Sequence, residues 1–209
     1  MPIVFKKAQN NSRLAVWHIT EKEAELTSRL NDNTPDLTEQ LRQITHPSKR
    51  LEWLASRILL KQLGKCVPLV CYDDNGKPYL ENQNICFSIT HTNNFAAVVI
   101  SGKKTTGIDI EYPSSRISKL ADRFIHPEEK AFIPHQKEAL YHALLWCAKE
   151  TIYKTVNSPG LEFKTKIRIE PFEAGHEGSF KAAVLTDSGW NKYLLNYLVT
   201  NHYYLVWNW

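Results

Sequence analysis

The chain has 209 residues, 43% of them hydrophobic, enough for a sizeable core in one domain or two small lobes. Its formal net charge of +4 is mildly basic; it suits an anionic ligand or an acidic partner and does not demand nucleic acid. Cys66, Cys71, Cys86 and Cys147 form no CxxC pair and no zinc spacing, so they read as free thiols of a reducing compartment rather than as a disulfide framework. The start of the chain lacks the apolar core of a signal peptide, and no apolar run approaches membrane-spanning length. The expectation is a soluble cytoplasmic protein.

In chain order, "PIVFKKAQNNSRLAVWHIT" reads as two short strands with turn residues between them, and "EKEAELTSRL" and "TEQLRQI" as helices. "HPSKRLEWLASRILLKQLG" is a clear helix, with Ser48 as candidate N-cap and Gly64 closing it. "LVCYDDNGKPYLE" reads as a hairpin turning at Asn75-Gly76. Three short strands follow, "NICFSITHT", "NFAAVVIS" and "TTGIDIEY", and then "YPSSRIS", the best candidate linker between halves. Helices are expected near 117–124, 127–133 and 136–157. Strands close the chain: "KTKIRIEPF", "GSFKAAVLT", "NKYLLNYLVTN" and "HYYLVWNW". Each half offers helix and then antiparallel strands, an α+β pattern repeated twice.

The helix "EALYHALLWCAKETIYK" raises a question. Its lead-in is apolar almost all round, yet it runs into Lys149, Glu150 and Lys154. Long charged side chains are rarely buried without partners. Trp146, Lys149, Glu150, Tyr153 and Lys154 follow the i, i+3, i+4, i+7, i+8 spacing of one helix stripe. A surface i,i+4 ion pair is one reading of it.

The strand-like "GIDIE" supplies another. Ile108 and Ile110 face one side, Asp109 and Glu111 the other, with the carboxylates roughly 6–7 Å apart. Such carboxylates repel unless a cation lies between them. Two hard oxygen donors with room for a third suit Mg²⁺ and phosphate oxygens. An exposed, incidentally acidic strand face is the competing reading. If Glu150 faces Asp109 and Glu111, three carboxylates and two lysines converge, which holds a metal and clamps a polyphosphate together.

Two further elements carry cations. In "FSITHT", Phe87, Ile89 and His91 share a strand face, with Ser88, Thr90 and Thr92 opposite. A lone histidine is most often structural, but His91 is followed by Thr92, Asn93 and Asn94 and suits an anion as imidazolium. Arg50, Arg57 and Lys61 lie at i, i+7, i+11, a basic stripe that is either a solvated face or a phosphate cradle.

GKP, then FS-x-(S/T)-H, then GIDIE, then W-x-x-K-E-x-x-x-K, in this order, resembles the 4′-phosphopantetheinyl transferases, most nearly their monomeric, two-lobed, surfactin-synthetase-activator (Sfp) type. The resemblance runs from about residue 46 to 165 and includes "GLEF". It implies two pseudo-symmetric lobes, 1–112 and 113–209, each an antiparallel sheet plus helices, with the active site in the cleft between them. It also implies transfer of the phosphopantetheine arm of coenzyme A to a serine of an apo acyl or peptidyl carrier protein. The ion is Mg²⁺, with Mn²⁺ as the alternative, and the second product is adenosine 3′,5′-bisphosphate. No membrane or nucleic acid takes part.

By that resemblance Asp109, Glu111 and Glu150 match the metal-binding carboxylates. His91 matches the histidine on the 3′-phosphate of coenzyme A, and Lys154 the lysine near the pyrophosphate. Lys77 and Pro78 match the element beside the adenine end. Thr90 stands where many members have serine. Arg50 and Arg57 are the choices for further phosphate contacts. Glu150, directly or through a metal-bound water, is the candidate base for the serine hydroxyl. Two other functions fit the same residues: an inactive coenzyme A- or carrier-binding module, and a Mg²⁺-dependent nucleotide pyrophosphohydrolase.

Overall fold

The computed structural model describes residues 3–30, 35–65, 67–81, 85–102 and 105–209; Cys66 lies outside them. The chain divides into two compact units, Met1–Thr106 and Gly107–Trp209. Both pair an antiparallel sheet with one long helix, the α+β pattern expected. No helix among the described residues is long and apolar enough to cross a membrane.

The first unit opens with the hairpin β1 (Ile3–Gln9) and β2 (Ser12–His18), turned by Asn10 at φ 51°. Helices α1 (Glu23–Leu30), α2 (Pro35–Arg42) and α3 (Pro47–Gly64) follow. Next come the two-stranded hairpin β3 (Val70–Tyr72) and β4 (Pro78–Leu80), then β5 (Cys86–Thr92) and β6 (Phe95–Ser101). The main sheet runs β1-β2-β6-β5. Its inner face, including Trp17, Phe87 and Val98, packs on Leu54, Ile58 and Leu59 of α3. Helix α3 starts two residues earlier than a Ser48 cap implies. His46 is the N-cap residue and Pro47 the first helical one, where a missing N–H costs nothing. Ser48 Oγ instead bonds His46 Nδ1 at 2.9 Å. Gly64 is still helical, and Lys65 takes the left-handed conformation that ends α3.

The second unit contains β7 (Ile108–Glu111), α4 (Ala121–Phe124), α5 (Pro127–Lys130), α6 (Glu138–Val156), α7 (Phe163–Lys166), β8 (Ile167–Ile169), β9 (Glu177–Thr186), β10 (Gly189–Val199) and β11 (Tyr204–Trp207). The sheet order is β7-β11-β10-β9-β8. The first unit ends at Thr106, short of the boundary at 112 expected from the sequence, and GIDIE belongs to the second unit. Strand β7 finds its antiparallel partner in β11, where Asp109 opposes Val206 and Glu111 opposes Tyr204. The "YPSSRIS" segment is consequently interior to the second unit rather than a linker.

Strand β7 lies close to α6 because residue 107 is glycine. A Cβ there would overlap the backbone oxygen of Thr151 and the hydroxyl of Thr155. Both ends of the contact are tied down. Asn208 Oδ1 accepts from Gly107 N at 2.6 Å and from Thr155 Oγ1 at 3.2 Å, and Thr155 Oγ1 also donates to Thr151 O at 2.7 Å. A helix carbonyl cannot yield as a flexible side chain does. Gly107→Ala is expected to cost about 3 kcal/mol by overpacking, read as a shift in the urea midpoint; a loss under about 0.5 kcal/mol, the size of an ordinary surface change, would show that the two elements slide freely.

Helix α6 buries Leu144, Leu145, Ala148 and Ile152 in a core with Val184, Leu195 and Val206. Lys149, on the flank of its stripe, is fully buried. Its ammonium faces Glu129 Oε2 at 2.7 Å and the carbonyls of Phe124 at 2.8 Å, Phe163 at 3.0 Å and Ile167 at 3.1 Å. Glu129 also accepts from the N–H groups of His126 and Ile169. One ion pair thus joins α4, α5, α6, α7 and β8. The expected convergence of two lysines on the acidic residues does not occur, because Lys149 is a structural group. Burial pushes its pKa down to about 8, against the pull of Glu129.

Candidate functional site

The second unit assembles the acidic residues. Alternation along β7 turns Asp109 and Glu111 to one side, and both are buried, at 6% and 9% exposure. The reading of GIDIE as an exposed acidic face is therefore excluded. Lys154, on the last turn of α6, places its ammonium 2.7 Å from Asp109 Oδ1 and 3.1 Å from the carbonyl of Ile108. Arg116 approaches Glu111 at 3.5 Å from a largely exposed position. The indole of Trp146 hydrogen-bonds Glu111, four residues before Glu150 on the same helix.

The electrostatics are those of crowded like charges. Burial pushes Glu111 above the usual carboxylate range and Asp109 adds to the effect, against Arg116, Trp146 and Lys154. Glu150 is pushed up to about 7, first by burial and then by Asp109, with Lys154 opposing and Glu111 adding. The nearby Cys147 thiol is held well above its ordinary pKa by burial and by the two β7 carboxylates, so it is no nucleophile.

Among the described residues no three His, Cys, Asp or Glu side chains stand as a ready-made metal cage; Lys154 supplies the countercharge to Asp109 instead. The donor chemistry nevertheless suits a hard cation. All three groups are oxygen donors, and each carboxylate raises its neighbours' affinity for a positive charge.

The Glu150 shift has a sign in stability. The unfolded chain ionises this group near 4.5 and the folded protein only near 7. Its contribution is therefore fully present below pH 4.5 and is lost as pH rises through about 7. Thermal or urea unfolding across that window should show wild-type stability falling and Glu150→Gln flattening the fall, a difference of about 1–3 kcal/mol. Parallel profiles for the two proteins would remove Glu150 from the acidic group.

The first unit carries the residues matched to coenzyme A. Cross-strand pairing of Phe87 with Ile100, Ile89 with Val98 and His91 with Ala96 puts His91 on the face that packs on α3. Its Nδ1 lies 3.0 Å from Glu52 Oε2, and its outer edge is exposed. Thr90 is buried on the opposite face and is not brought beside His91.

The basic stripe does not exist as a face. Arg50 clasps Glu23 in a fork, Nε to Oε2 at 2.9 Å and Nη2 to Oε1 at 2.6 Å, and donates to the carbonyls of Leu41 and Ile44. It pins α1 to α3. Lys61 donates to the carbonyl of Leu30 at 2.8 Å. Arg57 is buried at 3% exposure, stacked 4.6 Å above the Trp53 ring, with Nη2 3.4 Å from Tyr72 Oη. Among the described residues no carboxylate pairs with it, and burial pushes its pKa down.

Tyr72 sits on β3 opposite Pro78 of β4, so the hairpin that carries Lys77 and Pro78 also reaches Arg57. Its turn is shaped by Asp73, whose Oδ1 accepts from the N–H groups of Asn75 and Lys77, and by Gly76 at φ 80°. Sequence reasoning missed Lys49, Glu52, Trp53 and Tyr72. The first three were legible as an i, i+3, i+4 set ending at Arg57; Tyr72 had no local signal.

The strand and helix that bring two buried carboxylates, half-buried Glu150 and a lysine together lie in the part of the chain that matches a known family. Residues 105–200 match the model of the 4'-phosphopantetheinyl transferase superfamily. Over these residues the chain is similar to that superfamily. The match spans most of the second unit and stops short of the hairpin and of His91.

Among relatives of this superfamily, a "Putative 4'-phosphopantetheinyl transferase" of Haemophilus influenzae is 31% identical over 121 residues, 53% of this chain and 51% of the relative. The 4'-phosphopantetheinyl transferase AcpT of Escherichia coli is 30% identical over 127 residues, 57% of this chain and 63% of the relative. The 4'-phosphopantetheinyl transferase HetI of Nostoc sp. is 30% identical over 93 residues, 40% and 39% of the two chains. The chain thus spans about half the length of the first of these relatives.

Proposed function

We propose that the protein moves the 4′-phosphopantetheine arm of coenzyme A onto a serine hydroxyl of an apo acyl or peptidyl carrier protein, leaving adenosine 3′,5′-bisphosphate. The observation that carries this reading is the acidic group of buried Asp109 and Glu111 with half-buried Glu150, and Lys154 at its edge. A divalent ion, Mg²⁺ or Mn²⁺, would be held by these three carboxylates and would neutralise charge on the pyrophosphate.

The chain's own groups divide the remaining work. The serine oxygen forms a bond to the pantetheine-side phosphorus while the bond to the bisphosphate oxygen breaks. Glu150, poised near neutrality, accepts the serine proton. Lys154 offers an N–H to the departing oxygen, for which it must leave Asp109. Positioning and charge neutralisation carry such a displacement more than covalent help does.

His91 takes the 3′-phosphate, and Lys77 and Pro78 flank the adenine end. Arg57 reaches a phosphate once Tyr72, 58% exposed, turns aside. Arg50 and Thr90 have no part in this scheme. Their positions are structural, one clasped by Glu23 and the other on the far face of β5.

The test is incubation of the full chain with coenzyme A, Mg²⁺ and a panel of apo-carriers, followed by intact-mass measurement of the carriers. A carrier that gains one phosphopantetheine supports the reading. Free phosphopantetheine released without a carrier would make the protein a pyrophosphohydrolase. Tight coenzyme A binding without turnover would make it a binding module.

A further inference from the structure

We propose that Glu52 is a positioning residue that ties His91 and Lys49 into one clamp for a phosphate monoester, which on the reading above is the 3′-phosphate of coenzyme A. Lys49 and His91 meet the same carboxylate oxygen. Lys49 Nζ lies 2.8 Å from Glu52 Oε2, and His91 Nδ1 lies 3.0 Å from it. They are therefore no farther apart than those two lengths added. Lys49 and Glu52 come from the first turns of α3 and His91 from the end of β5, so the carboxylate joins two elements of the first unit at this point.

An ordinary i,i+3 surface pair does not look like this. The Glu52 side chain is only 7% exposed, while those of Lys49 and His91 are 55% and 38% exposed. The anion is the inner, fixed partner, and the cations reach outward from it. Burial alone would raise the carboxyl pKa; hydrogen bonds from His91 and Lys49 more than offset this and hold it below the ordinary value.

A carboxylate accepting at Nδ1 requires the proton on that nitrogen, which fixes the ring's orientation and turns Nε2 outward. No other partner of His91 is present among the described residues. With the ring protonated, Lys49 and His91 against one carboxylate leave a net positive charge, at an exposed place beside the sequence Thr92-Asn93-Asn94. A phosphate monoester, with close to two negative charges at neutral pH, matches that excess. A carboxylate or a singly charged diester matches it less well.

The inference makes a prediction opposite to simple charge counting. Removing a negative charge beside an anion site should tighten anion binding. If Glu52 instead holds the clamp, Glu52→Gln loosens it, because the His91 ring and the Lys49 ammonium lose the carboxylate oxygen that both of them meet. Calorimetry on the full chain with coenzyme A and with 3′-dephospho-coenzyme A gives a ratio of affinities for each variant.

The wild type is expected to prefer coenzyme A. Glu52→Gln should lower that preference about tenfold or more while binding the dephospho form within about twofold of wild type; Glu52→Asp should keep part of it. Lys49→Met changes an exposed side chain, so its folding is not at issue; it should lower the preference severalfold. An unchanged or increased preference in Glu52→Gln or Lys49→Met overturns the clamp. Equal weakening of both ligands makes Glu52 a fold contact and also overturns it. A wild type that transfers the arm yet ignores the 3′-phosphate removes the clamp and leaves the transferase reading standing. A wild type that neither transfers nor discriminates removes both.

Discussion

Asp109→Ala is expected to lower transfer at least about a thousandfold in kcat/KM, a barrier increase of about 4 kcal/mol, with the fold retained. The residue is one of three carboxylates that crowd together, and its Oδ1 lies 2.7 Å from the Lys154 ammonium. Its removal takes away a hard oxygen donor and also the group that fixes the lysine's position. For stability two effects oppose each other. Glu111 and Glu150 lose a repelling neighbour, which lowers the cost of ionising them. Lys154 loses an ion pair, but its side chain is 27% exposed and it keeps the Ile108 carbonyl. The melting temperature should consequently stay close to wild type, and Asp109→Asn, which keeps the shape, should behave alike. The checking measurements are single-turnover mass spectrometry of the carrier across a range of Mg²⁺ concentrations and a thermal melt. Wild-type turnover at limiting Mg²⁺ would remove Asp109 from the site.

Lys149→Met should do the reverse, unfolding the protein more easily with little effect on the chemistry. Glu129 is buried at 1% exposure, and loss of the ammonium leaves its carboxylate without a countercharge. Breaking one side of a buried ion pair costs about 3–5 kcal/mol. In a chain of this size that is a fall of roughly 10 °C or more in Tm. The carbonyls of Phe124, Phe163 and Ile167 lose their donor as well. Glu129→Gln added to Lys149→Met should recover part of the loss, because the orphaned charge then disappears, although the backbone carbonyls stay unsatisfied. Below the variant's melting range, kcat should remain within a few-fold of wild type. A loss of activity without a loss of stability would mean that Lys149 belongs with Glu150 and Lys154 after all. Its four acceptors, none of them a site carboxylate, argue against that outcome.

Periodicity carried much of the architecture. Strict alternation in GIDIE put Asp109 and Glu111 on one side of β7, and the i,i+4 spacing of Glu150 and Lys154 put both on one flank of α6. Those relations are local, since they depend only on the repeat of a strand or helix. The same logic failed for the basic stripe. Arg50, Arg57 and Lys61 do lie along one helix, yet each is taken up by a different neighbour: Glu23 of α1, the ring of Trp53 beside Tyr72, and the carbonyl of Leu30. Helical spacing states which side chains share a flank; it does not state what the flank is packed against.

By itself the sequence determined the element types, the acidic pair and the position of the long helix that carries Glu150 and Lys154. Each of these is written in short-range pattern or in motif order. Only the tertiary structure decided which unit owns β7, because its partner β11 lies almost at the other end of the chain. It also separated Lys149 from Lys154. Consecutive helix positions differ by about 100° in direction, so residues on the two edges of one stripe meet different surroundings, Glu129 in one case and Asp109 in the other. Glu52 was likewise invisible as a partner of His91. Long-range ion pairs between a helix and a strand follow from how the core packs the two elements, and no spacing along the chain encodes that distance.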